Sequence, residues 1–522
     1  MNVVFRVDAS VCMGTGHLIR CLTLAEALRQ RGVEIRFICR DHPGNLLTLL
    51  RQKEIPVTVL PAPGMTEAAS GEGYVAWLGV TQTEDARQTI AALTDRAIDC
   101  LVVDHYGLDV AWEVQVRPHV NKLMVIDDLA NRHHDCDVLL DQNFSDEGES
   151  RYAGLVSQEC RLLGGPRYAL LNPEYALFRT KPSARDGGVS RIFVYFGGSD
   201  HQNMTGVALN ALSLPALCHL AVDVVVGANN ASRKALDEQA AKRGGVRIFG
   251  TRPQLADLMM QADLAIGAGG TTTWERMCLG LPSLVVSIAE NQRSVAKALA
   301  KAGLIQYAGH FHEVTSSVLA GLIAQQGRQP VELAETSRLN QLQVDGLGVF
   351  RVVEVLYPTD LQAIKLRPAC ANDVGHFFTW ANDPLVRANA HNDATIPWNT
   401  HQVWFGNKMS CADCSLYVLE ADGLPVGQIR FDRAGNEALI DYSLDTIVRG
   451  RDWGRRLISL GIEKILKAWP ALIVSAEVKA SNSASAAVFR RMGFSEQLSA
   501  AGEYLVFYKE HDVVCSRLIG ND

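Results

Sequence analysis

Several absences narrow what this chain can be. None of its apolar stretches reaches the roughly 18 residues that a membrane span requires, so no span is expected in the 522 residues. Arg6 and Asp8 interrupt the apolar start, so nothing there reads as a signal peptide. Positive charge is not in excess: 50 Lys and Arg stand against 57 Asp and Glu, a formal net charge of −7, which argues against nonspecific nucleic-acid binding. The 12 cysteines are scattered; Cys411-Ala-Asp-Cys414 spells C-x-x-C, but no second pair follows, and a surface loop is expected there. That usage suits a reducing, cytoplasmic compartment. No lysine of the Walker type follows any glycine cluster, which argues against a nucleotide-hydrolysing P-loop. His133-His134-Asp135-Cys136-Asp137 lacks H-x-x-x-H spacing and a second ligand pair, so it reads as a loop entering a strand, and no metal is expected. There is neither an internal repeat nor a low-complexity tract.

What is there is ordinary globular composition, 48% apolar and 20% charged, over a length that suggests two to four domains. Residues 1–165 alternate short apolar strands (3–6, 33–38, 56–60, 100–103, 122–126) with amphipathic helices, the pattern of a parallel sheet covered on both faces. The polar, turn-rich segment 181–190 reads as a linker. A second α/β series fills 188–355, with strands at 191–196, 221–226, 246–249, 264–266 and 283–286. The pattern breaks at Tyr357-Pro-Thr-Asp360, and 364–512 reads as an α+β domain: two helical stretches, strands at 416–421, 426–432 and 438–444, a helix at 453–469 and a strand at 472–478. The fold class is therefore α/β, two Rossmann-type lobes followed by a smaller α+β domain.

Chemistry-bearing clusters fall where strands end. Gly14-Thr-Gly16 turns from the first strand into a helix that His17 opens; such a turn frees backbone N–H groups for an anion, and imidazole ordinarily titrates near neutrality. Taken alone, this stretch equally fits a plain strand–turn–helix. Asp104-His-Tyr106-Gly107, Asp127-Asp128, Gly197-Gly198-Ser-Asp200 and Gly267-Ala-Gly269-Gly270-Thr271-Thr-Thr-Trp-Glu275 also follow strands, at the sheet edge where open α/β folds bind ligands. Glycines followed by threonines suit a diphosphate, and Glu275 one turn further on can accept hydrogen bonds from an attached sugar.

On FRVDAS-x3-GTGH-x2-R-x-L-x-LA, DHYG, IDD, GGSD and GAGGTTTWE-x4-GLP followed by Asn291-Gln292, residues 1 to about 350 resemble the GT-B nucleotide-sugar hydrolases of pseudaminic acid biosynthesis. Those enzymes release UDP from UDP-2,4-diacetamido-2,4,6-trideoxy-β-L-altropyranose. The resemblance implies His17 as the base that activates water, with Tyr106 beside it. It further implies substrate contacts at Asp8, Gly16, Arg20, Asn291 and Gln292, and UDP contacts at Gly198, Phe249, Gly269, Gly270, Thr271 and Glu275.

In the C-terminal part, Arg449-Gly450-Arg451-Asp452-Trp-Gly454-Arg455-Arg456 follows a strand and opens a helix, a basic anion cradle. With Leu366-Arg-Pro368, Asn382-Asp-Pro384, His401-x2-Trp404-Phe405, Asn482-Ser-Ala-Ser485 and Phe489-Arg-Arg-Met-Gly-Phe494, it resembles the GNAT acetyltransferases over about 364–512. That implies acetyl-CoA as co-substrate, held by Arg449, Gly450, Arg451, Gly454, Arg455 and Asn482. Two departures stand out: Asp452 occupies a position usually glycine, and Phe489 one often filled by an acidic tyrosine. Tyr504, Tyr508 or water would then protonate the thiolate, and Glu437 or Asp441 would act as base.

The combined expectation is a bifunctional enzyme that N-acetylates a UDP-linked amino sugar at its 4-amino group and then removes UDP. It needs no metal and no nucleic acid, and allows weak contact with other enzymes of the same pathway. The alternative is a GT-B glycosyltransferase using a UDP-amino sugar, with a GNAT domain acting on a protein or other amine.

Overall fold

A computed structural model describes residues 1–62, 73–93, 97–180, 185, 188–227, 230–252, 254–470, 472–499 and 502–510. Most of the expected linker 181–190, and the last two residues of the expected third domain, therefore lie outside the described residues. The chain forms two compact units, Met1–Leu356 and Tyr357–Asp522.

The first unit carries two parallel sheets. Strands β1 (Asn2–Val7), β2 (Glu34–Arg40), β3 (Val57–Leu60), β4 (Cys100–Asp104), β5 (Leu123–Ile126), β6 (Val138–Asp141) and β7 (Arg161–Gly164) lie in the order β3-β2-β1-β4-β5-β6-β7. Strands β8 (Arg191–Tyr195), β9 (Ala221–Val225), β10 (Val246–Phe249), β11 (Leu264–Ala268), β12 (Ser283–Ser287) and β13 (Gln306–His310) lie in the order β10-β9-β8-β11-β12-β13. In both sheets the order reverses beside the first strand, which opens a ligand crevice at the carboxyl ends of β1 and β4 and of β8 and β11. These are two Rossmann-type lobes. Central strands such as Cys100-Leu-Val-Val and Leu-Met-Val-Ile are apolar throughout because helices cover both faces.

One connection binds the lobes together. After the second sheet, the helix Gly348–Leu356 returns to the first lobe and packs on the helix Gly16–Gln30. Arg351 donates to the Arg167 carbonyl at 2.8 Å, and a Cβ at Gly348 would meet the Ala169 carbonyl oxygen at 2.4 Å, so only glycine lets the two backbones come this close.

The second unit has one mixed sheet, β14 (Lys365–Pro368), β15 (Cys414–Ala421), β16 (Leu424–Ala434), β17 (Glu437–Leu444), β18 (Ile473–Lys479), β19 (Ser495–Leu498) and β20 (Tyr504–Glu510), in the order β14-β15-β16-β17-β18-β20-β19. Among the described residues of this sheet only β17 and β18 are parallel; their ladder ends at Ile440 and Ala476, although the strands run on to Leu444 and Lys479. A wedge with unpaired edges opens there.

Candidate functional site

At the carboxyl edge of the first sheet, His17 sits in the first turn of the helix Gly16–Gln30 and faces Asp104 at the end of β4; Nδ1 lies 2.6 Å from the Asp104 carboxylate. Arg20, one turn further on, donates to both Asp104 oxygens at 2.6 and 2.7 Å and to Asp128 at 3.0 Å. The Tyr106 hydroxyl donates to Asp128 at 2.5 Å, and its ring meets the His17 ring edge-on with centroids 4.5 Å apart. Burial alone would raise the Asp104 carboxyl, but Arg20 and His17 hold it well below the usual carboxylate range. Burial and the Asp128 charge push the Tyr106 hydroxyl well up, so it stays protonated and donates. With Asp104 ionised, the imidazole presents Nδ1–H to it and keeps Nε2 free to accept a proton.

The second lobe meets this centre through its glycine turn. A Cβ at Gly16 would lie 4.0 Å from the Thr271 methyl, so the His17 turn and the turn Gly269-Gly270-Thr271 are near neighbours within this unit. Gln292, at the start of the helix Asn291–Lys301, fences that turn: it would touch a Cβ at Gly269 at 3.4 Å, and its side-chain oxygen accepts from the Ile288 amide at 3.0 Å. Glu275 follows on the helix Thr272–Cys278, with its Oε2 buried near the Tyr175 hydroxyl. Burial pushes this carboxyl up to about 7 against the opposing pull of Tyr175 and Arg276. Phe249 ends β10 between the guanidinium groups of Arg247 and Arg252, 5.5 and 5.3 Å from its ring. Gly198 backs directly onto Gly227, whose Cβ would fall 1.9 Å from the Gly198 carbonyl oxygen.

Asp8 is the expected residue that the fold withdraws from the crevice. It is fully buried, bound by Arg6 at 2.6 Å and by the Arg40 amide at 2.6 Å, with its other oxygen 3.7 and 3.6 Å from the His42 and His105 rings. Arg20 is likewise committed to carboxylates, with its side chain 5% exposed. His134, in the His-His-Asp stretch, is buried against Glu113 at 2.6 Å.

In the second unit, the basic turn leads from β17 into the helix Trp453–Ala468. Gly450 and Asp452 both have positive φ, +77° and +61°; Asp452 adopts the left-handed backbone that a glycine takes freely, and its carboxylate pairs with Arg455 at 2.7 Å. Arg449 donates to the Leu444 carbonyl at 3.0 Å and pairs with Asp383 at 3.0 Å. A Cβ at Gly454 would lie in ordinary contact with the Tyr442 ring at 3.5 Å, which puts that tyrosine beside the turn. Asn482 caps the helix Ser483–Arg491 by accepting from the Ser485 amide at 3.2 Å.

Glu437 is not brought to this turn. It begins β17, at the end of the strand away from Arg449, and accepts from the Ser475 hydroxyl at 2.5 Å. Asp441 lies past the last β17–β18 pair and is bonded to Gln428 at 3.0 Å. Phe489 is buried, and the hydroxyl beside it belongs to Tyr442, which shares a hydrogen bond with Ser485 at 3.0 Å. Tyr508 is 40% exposed on β20, and the Tyr504 ring lies tilted against His391 with centroids 4.5 Å apart. His391 in turn pairs with Glu477 at 3.4 Å, on the stretch of β18 beyond the ladder.

Asp104 and Asp128 belong to strand-end clusters that the sequence placed at the crevice, without assigning either to His17, whereas Tyr74, Trp77, His391, Glu477 and Tyr442 were not singled out at all. Asp104 was legible in DHYG, because an acid at a strand end before a tyrosine is poised over the crevice. Asp128 was legible in IDD in the same way, whereas Tyr74 and Trp77 come from a short helical turn, and His391, Glu477 and Tyr442 from a loop and splayed strand ends, none with a local signal.

Comparison with known proteins agrees with this division. Residues 363–495 match the acetyltransferase (GNAT) domain family. UDP-2,4-diacetamido-2,4,6-trideoxy-beta-L-altropyranose hydrolase of Campylobacter jejuni is 26% identical, over 58% of this chain and 97% of its own length. Spore coat polysaccharide biosynthesis protein SpsG of Bacillus subtilis is 24% identical, over 68% of this chain and 98% of its own. An uncharacterised protein of Methanocaldococcus jannaschii is 21% identical over 95% of this chain and 97% of its own. Among the described residues no helix is long and apolar enough to cross a membrane. The chain is thus a fusion, in which a GNAT acetyltransferase domain follows an N-terminal region that matches the UDP-sugar hydrolase and SpsG.

Proposed function

We propose that this chain performs two successive steps on one UDP-linked amino sugar: N-acetylation of a 4-amino group in the second unit, and hydrolytic removal of UDP in the first, giving free 2,4-diacetamido-2,4,6-trideoxy-L-altrose. The observation that carries the reading is the His17–Asp104 pair at 2.6 Å beside the Gly269–Thr271 turn. A base and a diphosphate cradle on opposite sides of one crevice are what attack by water at an anomeric carbon requires.

In the hydrolytic step, His17 Nε2 takes a proton from water as its oxygen attacks the anomeric carbon. The bond from that carbon to the phosphate oxygen breaks, and UDP leaves with the electron pair. Asp104 holds the tautomer and balances the imidazolium that forms. The backbone amides of Gly269, Gly270 and Thr271 receive the diphosphate, Glu275 the ribose, Phe249 and Gly198 the base and its surroundings, and Asn291 and Gln292 the sugar.

In the acetyl-transfer step, acetyl-CoA supplies the acyl group as a thioester. Arg449, Arg451, Arg455 and the amides around Gly450 and Gly454 face its diphosphate, and Asn482 sets the start of the helix that flanks it. The unpaired edges of β17 and β18 give the acceptor amine access. The His391–Glu477 pair takes the proton of the ammonium group, the freed amine bonds to the thioester carbonyl carbon as the C–S bond breaks, and Tyr442, backed by Ser485, protonates the departing thiolate in place of Phe489.

A direct test supplies UDP-2-acetamido-4-amino-2,4,6-trideoxy-β-L-altropyranose with and without acetyl-CoA and identifies the products by mass spectrometry and NMR. Free diacetamido sugar and UDP are expected only with acetyl-CoA, whereas pre-acetylated substrate releases UDP without it. Sugar release that requires an added acceptor would instead indicate a glycosyltransferase. The unit boundary at Leu356 leads us to expect that a 1–357 fragment retains UDP release and a 361–522 fragment retains acetyl transfer.

Glu275 gives a pH signature. Its carboxyl, raised to about 7 by burial, is neutral below that pH and ionised above it, where bonds from ribose hydroxyls become charge-assisted. Uridine, which carries no phosphate to titrate, should bind about 3–10-fold tighter at pH 8 than at pH 6 by calorimetry, and Glu275→Gln should flatten the profile. Because this carboxyl is raised relative to the unfolded chain, its ionisation costs the ligand-free fold stability as pH climbs from the ordinary carboxylate range through about 7.

A further inference from the structure

The short helical turn Gly73–Leu78 carries Tyr74 and Trp77 onto the His17 centre. The Trp77 ring lies edge-on to His17, with centroids 6.4 Å apart, and stacks on Tyr106 at 5.8 Å with planes 27° apart. Tyr74 meets Trp77 at 4.7 Å and Tyr106 at 5.0 Å. The three rings form a continuous aromatic wall, and its approach depends on Gly107: a Cβ there would meet the Tyr74 carbonyl oxygen at 2.9 Å. Both Tyr74 and Trp77 keep part of their surface open. The hydrolytic chemistry has no use for apolar surface beside its base, since water, imidazole and carboxylates are all polar.

From this juxtaposition we infer that Trp77, seated with Tyr74 against Tyr106, recognises the methyl-bearing face of a 6-deoxy amino sugar and sets the preference of the first unit for such sugars over their 6-hydroxymethyl counterparts. The inference rests on the proposed hydrolytic reading, which brings the anomeric carbon to His17. A pyranose ring is only about as wide as the separation between His17 and Trp77, so a sugar reacting at His17 lies alongside the wall. Aromatic faces bury C–H surface at low entropic cost and offer nothing to a hydroxyl, which on that face would lose its water without a partner. Discrimination of one methyl-sized group by an apolar wall is typically about 10–200-fold.

The test uses the full-length chain and two UDP-diacetamido sugars that differ only at C6, methyl against hydroxymethyl. Binding is measured by calorimetry in a His17→Asn background, so that turnover does not enter, and kcat/KM in the otherwise wild-type chain. We expect the methyl sugar to be preferred about 10–200-fold in both measurements. Trp77→Ala should collapse that preference to within a few-fold, Trp77→Phe should keep most of it, and the dissociation constant for UDP alone should be unchanged in both variants. An undiminished preference in Trp77→Ala would overturn the inference, and so would an equal loss of affinity for both sugars and for UDP, which would mark Trp77 as structural. Selective binding without sugar release would leave the wall standing and reject the hydrolytic reading instead.

Discussion

Replacing His17 with asparagine should lower kcat for UDP release by about 10²–10⁴-fold, the usual contribution of a general base, while the dissociation constant for UDP changes little. Asparagine keeps polarity and much of the shape but accepts no proton at neutral pH. In the proposed reading UDP sits against the glycine turn of the second lobe, away from the imidazole. The chemistry can be followed atom by atom. Attack at the anomeric carbon inverts its configuration, and hydrolysis in ¹⁸O-water places the label on the sugar. Label on the phosphate would mean attack at phosphorus and would remove His17 from its role.

Asp104→Ala is the second large effect, and it combines activity with stability. The carboxylate is fully buried and accepts from His17 and from both arms of the Arg20 fork. Its removal leaves the Arg20 guanidinium buried with Asp128 alone, and losing one partner of a buried pair typically costs about 3–5 kcal/mol. With Asp128 remaining, about 3 kcal/mol is expected from denaturant unfolding of the first unit. Adding Arg20→Met should recover much of that stability, because the stranded charge goes with it, but none of the activity. Asp104→Asn should keep most of the packing yet present the wrong partner to Nδ1, lowering kcat by about 10³–10⁴-fold. If Asp104→Asn turned over normally, the imidazole would be oriented by something other than this carboxylate.

The contrast between these residues and Asp8 shows what a sequence can and cannot reveal here. The lobes were legible because buried parallel strands are apolar runs separated by helical periodicity; the central strands β1, β4, β5, β8, β9 and β11 fall where that pattern places them. Strands β7 and β13 were not read: Arg161-Leu-Leu-Gly164 has only two apolar residues, between an arginine and a glycine, and Gln306-Tyr-Ala-Gly-His310 is half polar; β6 was anticipated only as the strand that the loop 133–137 enters. Motifs at strand ends gave the correct side of the sheet but not the direction of each side chain. Asp8 and Asp104 are both acids at the edge of neighbouring strands; Arg6 and Arg40 draw one inward, whereas the helix with His17 and Arg20 meets the other. In the second unit, Glu437 carried the right chemistry at the wrong end of its strand. Glu477 sits where β17 and β18 part, and a parting of strands leaves no trace in composition.

The returning helix Gly348–Leu356 has a consequence for how the protein is made. Its residues are almost all buried, and part of the surface that buries them belongs to the helix Gly16–Gln30, more than 300 residues earlier in the chain. While the first lobe leaves the ribosome, that face of the Gly16–Gln30 helix has no cover, and it stays open until the whole second lobe has been synthesised. The first lobe therefore completes its fold last, although it is translated first. Its His17 turn, carried by that same helix, gains its final support only when residue 356 has emerged. A chain released before that point would expose an apolar helix face beside an unsupported His17 turn, which is the kind of surface that chaperones bind.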